Sequence, residues 1–232
     1  MRLLWPVALL AIKHGSGKSG TLNRSARMNV LSLAQDLSAR ICHDIGGPLG
    51  ALSGALDLAE VEPVEALSVA RDGATAMRLR LRLWRAVAGA GAGPLGRSGL
   101  AELLDGTLSS GRVVADLSGL PEAPLPAPLA QAALAAVMLG SEALPRGGTV
   151  YLAGEASGLA IWPEGRNAAW PHCLTAALAG DEVSGPRDVM APLLLHLAAA
   201  AGMGPALAMG REGAAAPLTL MRQVVAADAS RR

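Results

Sequence analysis

Leu37-Ser38-Ala39-Arg40-Ile41-Cys42-His43-Asp44-Ile45-Gly46-Gly47-Pro48-Leu49-Gly50 sets a histidine directly before a carboxylate and five residues ahead of a proline. Around it, Val30, Leu33, Leu37, Ile41, Ile45, Leu49, Leu52 and Leu56 recur at helical spacing, so residues 29–59 read as one long amphipathic helix. His43 lies two residues past Ile41, about 200° round at 100° per residue, and so points away from the apolar stripe. Asp36, Arg40, Gly47, Gly50 and Gly54 fall within about 60° of it on the same projection. Each glycine costs a helix on the order of 1 kcal/mol against alanine, a cost that makes sense where something must approach the backbone closely. His43 is thus expected on a bare docking face.

Residues 60–63 break the helical pattern, and Pro63 with Glu62 and Glu65 suits the first turn of a second helix. Its stripe, Leu67, Ala70, Ala74, Met77, Leu81, Trp84 and Ala88, steps by threes and fours as in a coiled-coil or bundle seam. Two such helices cannot bury both stripes alone, so a four-helix bundle built from two copies of the chain is expected. The opposite face carries Arg71, Arg78, Arg82 and Arg85, equally readable as a solvated face or a surface for an acidic partner.

The glycine-rich stretch up to Gly99 reads as a linker, placing boundaries at 28–90 for the hairpin, 91–99 for the linker, 100–225 for a second domain and 226–232 for a tail. In the second domain, helices are expected at 100–104, 129–144, 168–179 and 187–201. Strands are expected at 112–117, 149–153, 159–162, 205–209 and 217–221. Helices interleave with strands in hairpin pairs, so the fold class is α+β: a helical hairpin followed by an α/β sandwich with a mixed sheet.

Residues 1–27 read as a dispensable or disordered extension, and Met28 would serve as a start. Residues 3–12 form an apolar run too short to span a membrane, interrupted by Pro6 and without a convincing cleavage site. Gly15-Ser16-Gly17-Lys18-Ser19 has Ile12 where a phosphate loop needs its first glycine, so it reads as a flexible basic segment. With 232 residues, 51% of them apolar, the chain has ample material for a core. A net charge of +1, no Phe and one Tyr argue against a nucleic-acid partner. Cys42 and Cys173 are too few for a disulfide framework and fit a reducing cytoplasm. Paired with His43 and His172 they lack zinc-ligand spacing, so no metal is expected on the chain. Neither G-x-S-x-G nor H-E-x-x-H occurs.

The segment Arg40-Ile41-Cys42-His43-Asp44-Ile45-Gly46-Gly47-Pro48-Leu49-Gly50-Ala51 resembles the phosphohistidine box of dimeric bacterial histidine kinases, and more closely that of ChpT-type histidine phosphotransferases. The resemblance covers roughly residues 28–225. It implies a dimeric helical hairpin followed by a domain related to the kinase ATP-binding fold that no longer binds nucleotide. Glu142-Ala143-Leu144-Pro145-Arg146-Gly147-Gly148-Thr149-Val150 looks like the helix end that follows the asparagine box of the ATP-binding relatives. Where those relatives carry a metal-binding asparagine, this chain has Leu139. No D-x-G-x-G follows, and residues 158–162 hold no carboxylate for adenine. The implied function is a phosphorelay intermediate without ATP or any cofactor of its own. It would receive phosphate on His43 from the receiver domain of a hybrid histidine kinase and pass it to response regulators. The resemblance points to regulators of an alphaproteobacterial cell-cycle or motility relay.

Imidazole suits that chemistry, since a free one titrates near pH 6.5 and offers a neutral nitrogen at pH 7. Transfer is governed by positioning and cations, and a receiver brings its own Mg²⁺ and lysine. Asp44 is expected to accept a hydrogen bond from one ring nitrogen and leave the other free to attack, making His43 and Asp44 the candidate catalytic pair. Arg40, one turn earlier, is expected to meet phosphate or an acidic receiver rim, with Gly47, Gly50 and Gly54 as the partner-binding face. Pro48 frees the Asp44 carbonyl. Gly47 stands where related bifunctional kinases place threonine or asparagine, which leaves little for a phosphatase reaction. Two other readings are open. An autophosphorylating kinase core would need nucleotide in the second domain, and a non-catalytic dimeric scaffold would leave His43 idle.

Overall fold

Two long antiparallel helices begin the part of the chain that the computed structural model describes, residues 30–89, 93–210 and 214–223. The N-terminal extension with its glycine-lysine segment, part of the linker and the tail lie outside the described residues. Helix α1 is Val30–Leu58 and α2 is Pro63–Val87, the latter opening on proline with Glu65 in its first turn, where the helix dipole favours a carboxylate. Pro48 lies within α1 without ending it. The α2 backbone passes close to this point, because Gly73 is buried and a Cβ there would stand 3.1 Å from the Pro48 carbonyl oxygen. The absence of a side chain at Gly73 is what lets the helices approach.

The seam expected along α2 divides in two. Ala70, Met77 and Trp84 turn inward, whereas Leu67, Ala74, Leu81 and Ala88 are exposed, as are Leu49 and Leu56 of α1. At its other end the hairpin joins the core of the second domain. Leu83, Trp84 and Val87 belong to that core, and Leu37 and Ile41 pack against it.

The second domain comprises α3 (Arg97–Leu104), β1 (Val113–Gly119), α4 (Ala127–Glu142), β2 (Gly148–Glu155), β3 (Gly158–Glu164), α5 (His172–Ala179), α6 (Met190–Ala200), β4 (Met203–Leu207) and β5 (Leu218–Arg222). Helix α3 begins inside the stretch read as linker, because Leu100 and Leu104 are buried and draw their whole turn into the core. The strands form one mixed sheet in the order β1-β2-β3-β5-β4, parallel between β1 and β2 and antiparallel elsewhere. The α+β class is therefore as the sequence implied, a helical hairpin followed by an α/β domain.

Helix α4 is central. Residues 132–141 are all buried, as expected of a helix apolar on every side, and it packs on β2, β3 and α6. Burial of Leu129, Leu134, Val137 and Leu139 contributes roughly 1.5–3 kcal/mol for each side chain. Its exit into β2 needs glycine, since Gly147 has φ 82° and a Cβ there would lie 2.5 Å from the Arg112 carbonyl oxygen. Helices α5 and α6 start a few residues later than their apolar spacing predicts. Pro171 caps the first, and residues 185–189 form a turn ahead of the second.

Candidate functional site

His43 stands on the solvent side of α1 with its side chain 86% exposed. Its ring Nδ1 is 3.5 Å from Asp44 Oδ1, beyond the usual hydrogen-bond distance. Asp44 itself is held from two sides. Arg40 Nε donates to Oδ1 at 3.2 Å, and the Trp84 indole Nε1 donates to Oδ2 at 3.2 Å from the facing helix. Trp84, read from sequence only as a seam residue, is thus a carboxylate anchor in the interior of the hairpin.

Arg40 was expected to meet a partner, but its guanidinium is engaged within the chain. Nη2 donates to Glu142 Oε1 at 2.7 Å and Nη1 to the Arg187 carbonyl at 3.3 Å, so with Nε on Asp44 all three nitrogens are occupied. One turn earlier Asp36 Oδ2 accepts the Gly185 amide at 2.8 Å. Two successive turns of α1 are therefore gripped by the loop that precedes α6. Together Arg40, His43 and Asp44 of α1, Glu142 of α4 and residues 185–188 line an open cleft of about 770 Å³.

The electrostatics of this cluster are uneven. Burial opposes the charge on Arg40, but the carboxylates of Glu142 and Asp44 outweigh it and raise its pKa further. Glu142 is also shifted upward: burial is the main cause, Arg40 pulls against it, and Asp44 and Asp188 add repulsion. The two ends of the ion pair thus differ, Arg40 being held charged while Glu142 carries a net cost of burial. The shift of Glu142 shows the desolvation that accompanies a partly buried ion pair. The Cys173 thiol of α5 is pushed up to about 11, first by burial and then by Asp188 and Glu142, so it remains protonated at neutral pH.

Gly47, Gly50 and Gly54 are exposed, and a Cβ at any of them would meet nothing within 4 Å. No other part of the described chain uses the closeness they permit. Arg71, Arg78, Arg82 and Arg85 are exposed on α2, with Arg82 3.8 Å from Glu102. Cys42 is exposed and Cys173 buried, and neither is in a disulfide. Among the described residues, no group of His, Cys, Asp and Glu is placed to hold a metal ion, and no helix is long and apolar enough to cross a membrane. Leu139, where the resemblance to the ATP-binding relatives would put a metal-binding asparagine, is fully buried in the core.

Glu142, Arg187 and the Asp36 contact with Gly185 were not assigned roles by sequence reasoning. One signal did exist for Glu142: it is the only charged residue of α4 and closes that helix, where the dipole disfavours a carboxylate. A cation from elsewhere in the fold was needed beside it.

A helical hairpin carrying an exposed histidine is docked on an α/β domain. The family model of the histidine phosphotransferase C-terminal domain matches residues 97–213, half of the chain, and the chain belongs to that family. The solved structure of a bacterial phosphotransferase is similar in fold, with a TM-score of 0.69 and 23% identity over 83% of this chain and 96% of that one. No protein of curated function matches the sequence.

Proposed function

We propose that this histidine phosphotransferase is a phosphorelay intermediate, taking a phosphoryl group on His43 from a receiver-domain aspartate of a hybrid kinase and returning it to the aspartates of response regulators. The observation that carries the reading is an imidazole 86% exposed beside a carboxylate anchored by two donors. With a proton on Nδ1 facing Asp44, the Nε2 lone pair attacks phosphorus. The N–P bond forms as the aspartyl P–O bond breaks, and the receiver recovers its carboxylate. Asp44 then balances the positive charge on the phosphorylated ring, and transfer to a regulator is the same step reversed. The receiver supplies Mg²⁺ and a lysine to the transferring phosphoryl group.

The open faces of Gly47, Gly50 and Gly54 support receiver docking alongside His43. Exposed Leu49, Leu56, Leu67 and Leu81 support pairing of two hairpins into a four-helix bundle, so the working form is a homodimer. The two cysteines, free of any disulfide, favour a cytoplasmic setting. The buried Leu139 favours a relay protein charged by another kinase over one that phosphorylates itself.

Incubation with a phosphorylated receiver tests the proposal. Acid-labile label is expected on the wild type and none on His43→Ala; equal label on both would remove the reading. Tight binding of Mg-ATP, measured by calorimetry, would instead favour a kinase core.

A further inference from the structure

The second domain contributes directly to the surroundings of His43, and the contact runs through one carboxylate. Glu142 closes α4 and accepts from Arg40 Nη2 at 2.7 Å, while Nε of the same guanidinium donates to Asp44 Oδ1 at 3.2 Å. Asp44 Oδ1 is in turn the oxygen 3.5 Å from His43 Nδ1. A planar guanidinium fork with both edges occupied has little freedom to turn, so the position of Glu142 is passed on to Asp44. The Arg187 carbonyl holds the third nitrogen at 3.3 Å, which adds a second grip from the same domain.

We propose that Glu142 is a positioning residue for phosphotransfer at His43: through Arg40 it fixes the Asp44 carboxylate beside Nδ1, so that Nε2 is the nitrogen presented to the receiver. The role rests on His43 being the phosphoryl acceptor. It also gives the second domain a function that requires no nucleotide, since the end of α4 aligns the acceptor on another element. Burial raises the Glu142 pKa and Arg40 is the cation that opposes that rise, so the carboxylate depends on the guanidinium it orients. Arg40 and Asp44 from α1, Asp188 from the loop before α6 and the Cys173 thiol of α5 surround Glu142. Arg187 and Asp188 join Arg40 and Asp44 around His43.

The test uses the full chain labelled with ¹⁵N-histidine, reading the His43 tautomer by NMR at a pH where the ring is neutral. A free imidazole favours the proton on Nε2, whereas a carboxylate beside Nδ1 favours it there. The wild type is expected to hold the Nδ1 proton, and Glu142→Ala to revert toward the free-imidazole tautomer. Transfer from a phosphorylated receiver is expected to fall about tenfold or more in that variant while receiver affinity stays within about twofold, as befits lost alignment. Glu142→Gln, whose amide oxygen still accepts from Nη2, should restore both tautomer and rate. A folded Glu142→Ala chain with the wild-type tautomer and rate overturns the proposal, as does a wild type that already carries the proton on Nε2. If Glu142→Ala does not melt cooperatively, Arg40→Lys decides. Its single ammonium cannot span both carboxylates, so it must show the same tautomer loss, and an unchanged tautomer overturns the proposal. The tautomer is measured without a receiver, so a wild type that takes no label would count against the proposed function while leaving the positioning role to be judged on the spectrum.

Discussion

Arg40 joins two carboxylates from different elements, Asp44 of α1 and Glu142 of α4. Removing it leaves the partly buried Glu142 without a cation, so Arg40→Ala is expected to destabilise the fold at neutral pH by about 2–3 kcal/mol, somewhat below the range for fully buried pairs. The pH dependence follows from the upward shift of Glu142. A carboxyl whose folded pKa is raised binds more protons folded than unfolded, so its contribution is fully favourable below the unfolded pKa and is lost as pH rises through the folded one. Without Arg40 the shift grows, and the deficit of Arg40→Ala should shrink as pH falls from neutral through the raised pKa of Glu142. Urea denaturation of both chains at several pH values checks this, and a deficit that does not change with pH contradicts it. Gly50 gives a second prediction, with effects of opposite sign. Open space surrounds its would-be Cβ, so Gly50→Leu should raise helix stability by a few tenths to about 1 kcal/mol while blocking transfer from a docked receiver. Unimpaired transfer would show that the glycine face is not where the receiver sits.

At the scale of elements, the crossing of α1 and α2 depends on Gly73. Valine there would push against the Pro48 carbonyl and the Leu52 amide, with a Cβ 3.1 and 3.3 Å from them, so Gly73→Val is expected to cost about 1–3 kcal/mol in a denaturant titration. The hairpin was legible in the sequence because a helical stripe repeats over eight turns and Pro63 marks a helix start. The strands were legible for a related reason: β2 and β3 alternate or run apolar between glycines, and residues 145–148 punctuate the exit of α4. The candidate site was legible only in part. His43 and Asp44 are neighbours in sequence, and the projection placed Arg40 and Asp36 on their face. The groups those two bind lie far along the chain, Glu142 102 residues from Arg40 and Gly185 149 residues from Asp36. Periodicity carries no information about pairs so distant, since the sheet and α4 must first bring them together. The same limit explains why Trp84 read as one more apolar position, when its indole N–H reaches across the hairpin to Asp44.

For the whole molecule, the division of the α2 stripe has a consequence for assembly. One set, Ala70, Met77 and Trp84, is turned inward, and Trp84 joins Leu83 and Val87 in the core shared with the second domain. The other, Leu67, Ala74, Leu81 and Ala88, repeats every seven residues and is exposed, as are Leu49 and Leu56 of α1. A seven-residue apolar repeat is what a helix presents to a bundle partner, and a second copy offers the same repeat by symmetry. Because the two sets are separate, pairing can be broken without touching the intrachain core. Leu67→Glu combined with Leu81→Glu is expected to halve the mass measured by light scattering while leaving the thermal transition of the second domain in place. The His43 surroundings should persist in the separated chain, since Arg40, Asp44, Trp84 and Glu142 all come from one copy. The doubly substituted protein should therefore still take label from a phosphorylated receiver unless docking itself spans both copies. A wild type that is already monomeric at micromolar concentration would leave the exposed repeat to some other partner and end the case for the bundle.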